Sequence, residues 1–260
     1  MQMSNYTDIN AATVDKWVAD GWEWGVPVTH ETFVRAQSGD WNVVLTPTKP
    51  VPHEWFAPHL KNERLDGVKV LGLASGGGQQ MPIFSALGAD CTVLDYSPAQ
   101  LESERVVAER EGYEINIIRA DMTLRLPFND ATFDVIFHPV SNCYIENVQH
   151  VWDECYRILK PGGVLLSGVG NDLNILVWND VEPLVITETL PFNPLKNPTQ
   201  REKLIADDAG FEFSHSLEEQ LGGQLKAGLR LTHLFDAFNS DGAMAARGIA
   251  TFIATRAVKE

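Results

Sequence analysis

At Val70–Gln80 the chain reads VLGLASGGGQQ, an apolar run that stops abruptly at three consecutive glycines. VKVLGLA, from residue 68, is a short apolar run bounded by turn signals and reads as a buried strand, and QQMPIFSALG follows as a helix closed by Gly88. The alternation then repeats. CTVLD is a second strand, and SPAQLESERVVAEREG is a helix with Ser97 as N-cap, Pro98 at its first position and Gly112 after its last turn. EINIIRAD and FDVIFHPV are the third and fourth strands. NVQHVWDECYRILK is a helix with apolar residues at Val148, Val151, Trp152, Cys155, Ile158 and Leu159, and GGVLLSGV is the fifth strand. Strands alternating with helices of this length imply parallel βαβ units, hence an α/β fold on a doubly wound sheet.

The flanks are less regular. Trp17, Trp22, Trp24, Trp41 and Trp55 crowd the opening stretch, where ATVDKWVADGW reads as one helix ending near Gly21 and TPTKPVPHEWF reads as loop. Residues 1–66 are therefore expected to cap a core at 67–170 within a single domain. Residues 171–215, rich in Pro and Asn, read as an insertion after strand five over the working edge of the sheet. In 216–260, SLEEQLGGQLKAGL is a helix with capping-box spacing at Ser216 and Glu219, and RLTHLFDAF and GIATFIATRAV are closing strands that bring the mostly parallel sheet to seven. Gly222 and Gly223 weaken that helix, and close helix-to-sheet packing is the reading favoured for them over ligand approach.

Charge narrows the partners. Acidic residues outnumber basic ones by 35 to 20, for a formal charge of -15. Such a field repels phosphate backbones and anionic lipid surfaces, so a small molecule is the expected partner rather than nucleic acid or membrane. Cys91, Cys143 and Cys155 form no CxxC pair and no zinc spacing, which suits a reducing compartment. The first residues, MQMSNYTDIN, have no leader pattern, and no segment approaches the ~20 apolar residues of a membrane span, so a cytoplasmic location is expected. The oligomeric state is not legible.

Three ligand classes compete for the glycine loop, which sits at the carboxyl edge of the sheet where open α/β folds bind ligands. A phosphate loop needs GxxxxGK[ST], but QQMP stands where the lysine belongs. A dinucleotide fingerprint puts Met81 at its third glycine, which demotes a nucleotide-dependent oxidoreductase. S-adenosylmethionine has no phosphates and needs close backbone approach instead. Asp95 ends strand two, where a carboxylate accepts from both ribose hydroxyls, and Asp121 ends strand three, where it accepts from an adenine amino group.

VLGLASGGGQQ, VLDYSPAQL, RADM, FDVIFHPVSN and LKPGGVLLSG, in this order, resemble the successive motifs of class I S-adenosylmethionine-dependent methyltransferases, especially the small-molecule group similar to the ubiquinone-biosynthesis enzymes. The resemblance covers roughly residues 68–170, and TFIATRAVK is similar to the family's last strand. It implies that Ala74, Ser75, Gly76 and Gly78 wrap the methionine and ribose of the cofactor, that Asp95 binds the ribose hydroxyls and that Tyr96 packs on the adenine. It further implies that Asp121 and Met122 fix the adenine edge and that His138 lies near the sulfonium. Two departures stand out: Gly72 replaces the family's acidic residue, and Ala74 replaces the first glycine of its GxGxG. Gln79 or Gln80 is the candidate to supply the missing polar contact.

Methyl transfer from a sulfonium to an O, N or C atom is an in-line displacement in which the protein mainly positions the acceptor and excludes water. Candidates for contacting the reacting groups follow strand four: His138, Ser141, Asn142 and Tyr144. For His138 a packed histidine donating to a backbone carbonyl stands beside a cofactor contact or a base, and Tyr144 reads as lining the site or acting in catalysis. The family's magnesium-using members need clustered carboxylates at strand four, which HPVSN lacks, so no metal is expected. Trp22, Trp24 and His30 read either as a lid over cofactor and acceptor or as core filler. A non-catalytic S-adenosylmethionine-binding protein of the same fold is the alternative.

Overall fold

In the computed structural model, which describes residues 5–260, seven strands build one sheet: β1 (Lys69–Leu73), β2 (Asp90–Asp95), β3 (Asn116–Arg119), β4 (Phe133–His138), β5 (Leu159–Gly170), β6 (Leu229–Ala237) and β7 (Phe252–Lys259). Residues 1–4, the start of the stretch inspected for a leader, lie outside the described residues. The strand order is β3-β2-β1-β4-β5-β7-β6. β1 to β5 pair in parallel, and β7 runs antiparallel between β5 and β6. The expectation of a mostly parallel, seven-stranded α/β sheet is met.

The order reverses direction at β1 and β4. Chain from β1 leads outward to β2 and β3, while β4 and β5 lie on the other side, so the crevice over their carboxyl ends is the natural ligand site of an open α/β sheet. The helices are α1 (Tyr6–Ala19), α2 (His30–Gln37), α3 (Gln80–Ala86), α4 (Pro98–Glu111), α5 (Val148–Ile158), α6 (Leu173–Leu176), α7 (Pro198–Ala206), α8 (Gly223–Lys226) and α9 (Gly242–Ala246). Local chemistry explains α4 fully: the Ser97 hydroxyl accepts from the Gln100 N–H at 3.1 Å, Pro98 opens the helix, and Gly112 ends it at φ 72°.

Each face of the sheet carries its own core. On one face Val70, Val93, Val135 and Phe137 pack with Phe84 of α3 and with Phe33, Trp41, Trp55 and Phe56 from the opening stretch. On the other, Leu71, Leu94, Ile136 and Leu165 pack with Trp152, Cys155 and Ile158 of α5. Trp41 and Trp55 are thus filler, and the stretch that contains them covers one sheet face. Arg256 of β7 fastens it there by donating to the Trp55 carbonyl at 2.7 Å.

Several elements differ from expectation. α1 starts earlier than its pattern suggests, α2 was not expected, and the insertion carries α6 and α7 around a small cluster of Ile175, Phe192 and Leu204. The Ser216–Glu219 capping box forms, with the Glu219 N–H donating to Ser216 Oγ at 3.2 Å and the Ser216 N–H to Glu219 Oε2 at 2.9 Å. It opens a π-type turn, Glu218–Gly222, before α8. Gly223 is small because of packing, but against a helix rather than the sheet: an added Cβ would lie 2.6 Å from Cδ1 of Trp152 on α5. Gly222 meets only Glu218 at an ordinary 3.7 Å.

Candidate active site

The carboxyl ends of the parallel strands open on a cavity of about 420 Å³, within the usual range for a small-molecule site. Ala74, Ser75 and Gly76 line it after β1, Asp95 and Tyr96 after β2, and Asp121 and Met122 after β3. The Asp95 carboxylate accepts the Gly76 N–H on Oδ2 and the Ser97 N–H on Oδ1, both at 3.0 Å. Burial raises its pKa and these two bonds oppose that rise. A carboxylate offers about four acceptor positions, so each oxygen retains one for a ligand hydroxyl. Asp121 uses Oδ1 for the N–H and hydroxyl of Thr123, at 2.8 and 2.7 Å. Its Oδ2 accepts no hydrogen bond among the described residues.

Gln80 is buried and accepts from Ser75 Oγ at 3.1 Å, which ties two lining residues together. Gln79 instead donates to the carbonyls of Glu23 and Val26, at 2.7 and 3.1 Å, and fastens the tryptophan segment to the glycine loop. Trp22 and Trp24 do line the cavity. The Tyr96 hydroxyl donates to Asp8 of α1 at 2.6 Å, and the Arg119 guanidinium lies over its ring.

Four of the residues singled out from sequence lie off the cavity wall. Gly78 faces α4, where an added Cβ would meet the Ser103 carbonyl oxygen at 2.8 Å, and its N–H donates to buried Glu104 at 2.8 Å. Burial pushes the Glu104 carboxyl up to about 8. His138 is fully buried: Nδ1 donates to the Leu73 carbonyl at 2.9 Å and Nε2 meets the Asn142 side chain at 2.9 Å. Burial lowers its pKa, the bonds to Leu73 and Asn142 oppose that fall, and both nitrogens are engaged within the protein. This is the packed-histidine arrangement, with no nitrogen free to act as a base. Asn142 continues the chain of hydrogen bonds to Gln220 at 3.1 Å. His30 is exposed and pairs with Glu111 at 2.8 Å, off the cavity wall.

The other half of the cavity lies over β4 and β5. Ser141, Cys143 and Tyr144 line it, and burial raises the Tyr144 phenol well above its ordinary pKa. Asp172, Glu212 and His215 also line it and were not found from sequence. Glu212 makes no hydrogen bond among the described residues, and burial alone pushes its carboxyl up to about 7. A clue existed in GFEFSHS, where a glutamate sits between two phenylalanines that prove buried. Thr7, Asn10, Ala11 and Val14 of α1 close the cavity from above. Asn10 spans this half: Nδ2 donates to the Tyr144 and Phe211 carbonyls, each at 3.0 Å, and Oδ1 accepts the Phe211 N–H at 2.5 Å.

Residues 71–167 match a family described as methyltransferase domain. Over 255 residues the chain is 42% identical to the Bacillus subtilis (strain 168) protein called uncharacterized methyltransferase YbaJ, covering 96% of this chain and 97% of that one. The chain belongs to the class I S-adenosylmethionine-dependent methyltransferases. Shorter matches include the ubiquinone biosynthesis O-methyltransferase of Maricaulis maris, 27% identical over 43% of this chain and 44% of that one. The sterol 24-C-methyltransferase erg6 of Aspergillus fumigatus is 30% identical over 43% of this chain and 30% of its own. Among solved structures, an S-adenosylmethionine-dependent methyltransferase from Mesorhizobium loti shares the fold with TM-score 0.58 at 18% identity, over 78% of this chain and 94% of that one.

The departures of this methyltransferase from its family's first motif have structural explanations. Gly72 points to the α3 side of the sheet, where an added Cβ would lie 2.8 Å from Sδ of buried Met81. The space of an acidic side chain is filled by Met81. Ala74 has a left-handed backbone, at φ 48°, the region that favours glycine. The bare backbone of Gly76 and Gly77 serves the protein itself: added Cβ atoms would meet Gln100 Cβ at 2.6 Å and the Trp24 carbonyl oxygen at 2.3 Å. The glycines let the loop pack closely beneath the Trp22–Trp24 segment and against α4, with Gly76 and Asp95 together on the cavity wall.

Proposed function

We propose that this methyltransferase acts on a small organic acceptor that carries no negative charge. Bound S-adenosylmethionine supplies an electrophilic methyl group on sulfur. Asp95 is suited to the ribose hydroxyls and the open Oδ2 of Asp121 to the adenine amino group, with Met122 and Tyr96 beside it. These residues sit at the carboxyl ends of β2 and β3, beside the glycine loop that follows β1, so the cofactor is assigned to that half of the cavity. The half over β4 and β5 is left for the acceptor, enclosed by α1, by Val44–Pro47 and by the insertion.

One observation carries the reading of acceptor charge: among the described residues, the cavity wall contains Asp95, Asp121, Asp172 and Glu212 but no lysine or arginine. A phosphate or carboxylate on the acceptor would enter this field unpaired, which is strongly unfavourable in a desolvated site. A neutral or cationic molecule is accommodated, and Pro139, Val140, Phe213 and Ile175 offer it apolar surface. The enclosure also positions the acceptor and excludes water, the main tasks in this displacement. The three free thiols fit a reducing, cytoplasmic setting.

Calorimetric titration with S-adenosylmethionine and S-adenosylhomocysteine tests the cofactor half. Asp95→Ala is expected to weaken binding at least about 100-fold, since two charge-assisted bonds are lost. Unchanged affinity would remove Asp95 from the site. Transfer of a labelled methyl group is then expected to phenols, alcohols or amines and not to carboxylic acids or phosphate esters, and turnover of an anionic acceptor would refute the reading.

A further inference from the structure

His215 lies at the junction of the insertion with the ends of β4 and β5, only 6% exposed and on the cavity wall. Its Nε2 is 2.8 Å from the Ile145 carbonyl oxygen and 3.1 Å from that of Asn142. Carbonyl oxygens only accept, so Nε2 carries the hydrogen. In a neutral imidazole the lone pair is then on Nδ1. That nitrogen is buried and has no partner in the protein. Two other buried hydroxyls on the same wall, Thr7 Oγ1 and Thr46 Oγ1, are equally unpartnered. Buried polar atoms are rarely left in this state, and all three belong to residues that line one cavity, which points to a ligand with hydrogen-bonding groups.

We infer that His215 is the general base of this methyltransferase, taking a proton on Nδ1 from an acceptor that presents an O–H or N–H group. The inference rests on the acceptor being in the β4–β5 half. As the acceptor's lone pair forms the new O–C or N–C bond, the S–C bond breaks with its electron pair remaining on sulfur, and the acceptor's proton moves to Nδ1. His138, with both nitrogens engaged, cannot serve. Glu212 is the competing group, but no hydrogen bond orients its carboxylate, whereas two carbonyls and the Asp172 carboxylate, which accepts the His215 backbone N–H at 3.0 Å, fix this histidine. Burial lowers the ring's pKa and keeps the waiting base neutral, while Asp172, after β5, and Glu219, in the turn before α8, favour the imidazolium once the proton arrives. The β4 side contributes only the two carbonyls.

The test combines nitrogen-15 NMR of histidine-labelled protein, saturated with S-adenosylhomocysteine, and kinetics with phenols, alcohols and amines. At pH 7 the Nε2–H tautomer is expected for His215, with the Nδ1 resonance moved by phenol but not by toluene. His215→Ala and His215→Gln are expected to lower kcat about 100-fold or more, to abolish the acidic limb of the pH profile and to leave S-adenosylhomocysteine affinity unchanged. An Nδ1–H tautomer, an Nδ1 insensitive to every phenol, alcohol and amine tried, or full kcat in His215→Ala overturns the inference. Loss of the acidic limb in Glu212→Gln but not in the His215 variants transfers the role to Glu212. Turnover of carbon acceptors alone removes the base but leaves the charge reading standing, whereas turnover of anionic acceptors removes the charge reading.

Discussion

The halves of the cavity proposed for cofactor and for acceptor are built by opposite strategies. In the cofactor half each polar anchor closes a turn of its own strand end: Asp95 accepts from Ser97 and Asp121 from Thr123, each two residues on. In the acceptor half the wall is assembled from segments far apart in the chain. Asn10 reaches Tyr144 and Phe211, and His215 reaches Asn142, Ile145 and Asp172. A site made of strand-terminal turns is specified locally and tolerates change elsewhere. A site made by docking an amino-terminal helix and an insertion onto the sheet edge is specified only by the completed fold.

The largest effect is expected from restoring the family's acidic residue in the cofactor half. Gly72→Asp drives a side chain into Met81, 2.8 Å from where its Cβ would be, and adds a carboxylate to a dry core. Overpacking and the buried polar group together cost about 3 kcal/mol or more, read from the denaturant midpoint. If Met81 is what replaces the acidic side chain, Gly72→Asp combined with Met81→Ala is less destabilised than the sum of the two single variants. Strict additivity would show that Met81 is a bystander and that the cofactor half is less locally determined than its hydrogen bonds indicate.

The same contrast governs what the sequence revealed. β1 to β5, the Ser97 cap and the strand-end aspartates were legible because period, cap chemistry and turn residues act over a few positions. His138 was legible as a candidate, but only the fold shows that Leu73 and Asn142 occupy both its nitrogens. Glu212 left only the clue of its two buried phenylalanine neighbours, and His215 left none, since the insertion has no period and the carbonyls that hold His215 lie about 70 residues away in the chain. The tryptophans divide for the same reason. Trp41 and Trp55 fill the core while Trp22 and Trp24 reach the cavity, a distinction set by which sheet face each segment meets rather than by the residues themselves.

Asn10→Ala probes the acceptor half with an intermediate effect. Three hydrogen bonds between α1 and the wall are lost, and the Tyr144 and Phe211 backbone groups lose a partner at a buried position. The cost is about 2 kcal/mol, or roughly 4–8 °C in Tm, checked by calorimetry. Affinity for S-adenosylhomocysteine is expected to stay within about twofold. Helix α1 is still held to the cofactor half, where Asp8 accepts from Tyr96 and Asp15 from Ser97 and from the Ala99 N–H. An equal loss of cofactor affinity would mean that α1 couples the halves rather than bridging them.

The smallest effect is expected at Ala74, where the cofactor half departs from its family by a single methyl group. An L-residue at φ 48° carries left-handed strain of roughly 1 kcal/mol, and glycine removes it. Glycine also gives the unfolded chain more freedom, which offsets part of the gain. Ala74→Gly is therefore expected to raise stability by about 0.5 kcal/mol, or roughly 1–2 °C in Tm, a shift that scanning calorimetry resolves. The N–H of residue 74 donates to the Leu94 carbonyl at 2.8 Å, and a glycine keeps that bond, so the loop should hold its shape and S-adenosylhomocysteine affinity should not change. Loss of stability would instead show that the Ala74 methyl group, packed against the α5-side core, contributes more than its strain costs. In that case the alanine is a stabilising feature of this loop, and the local rules that made the cofactor half legible would have misjudged the residue at its centre.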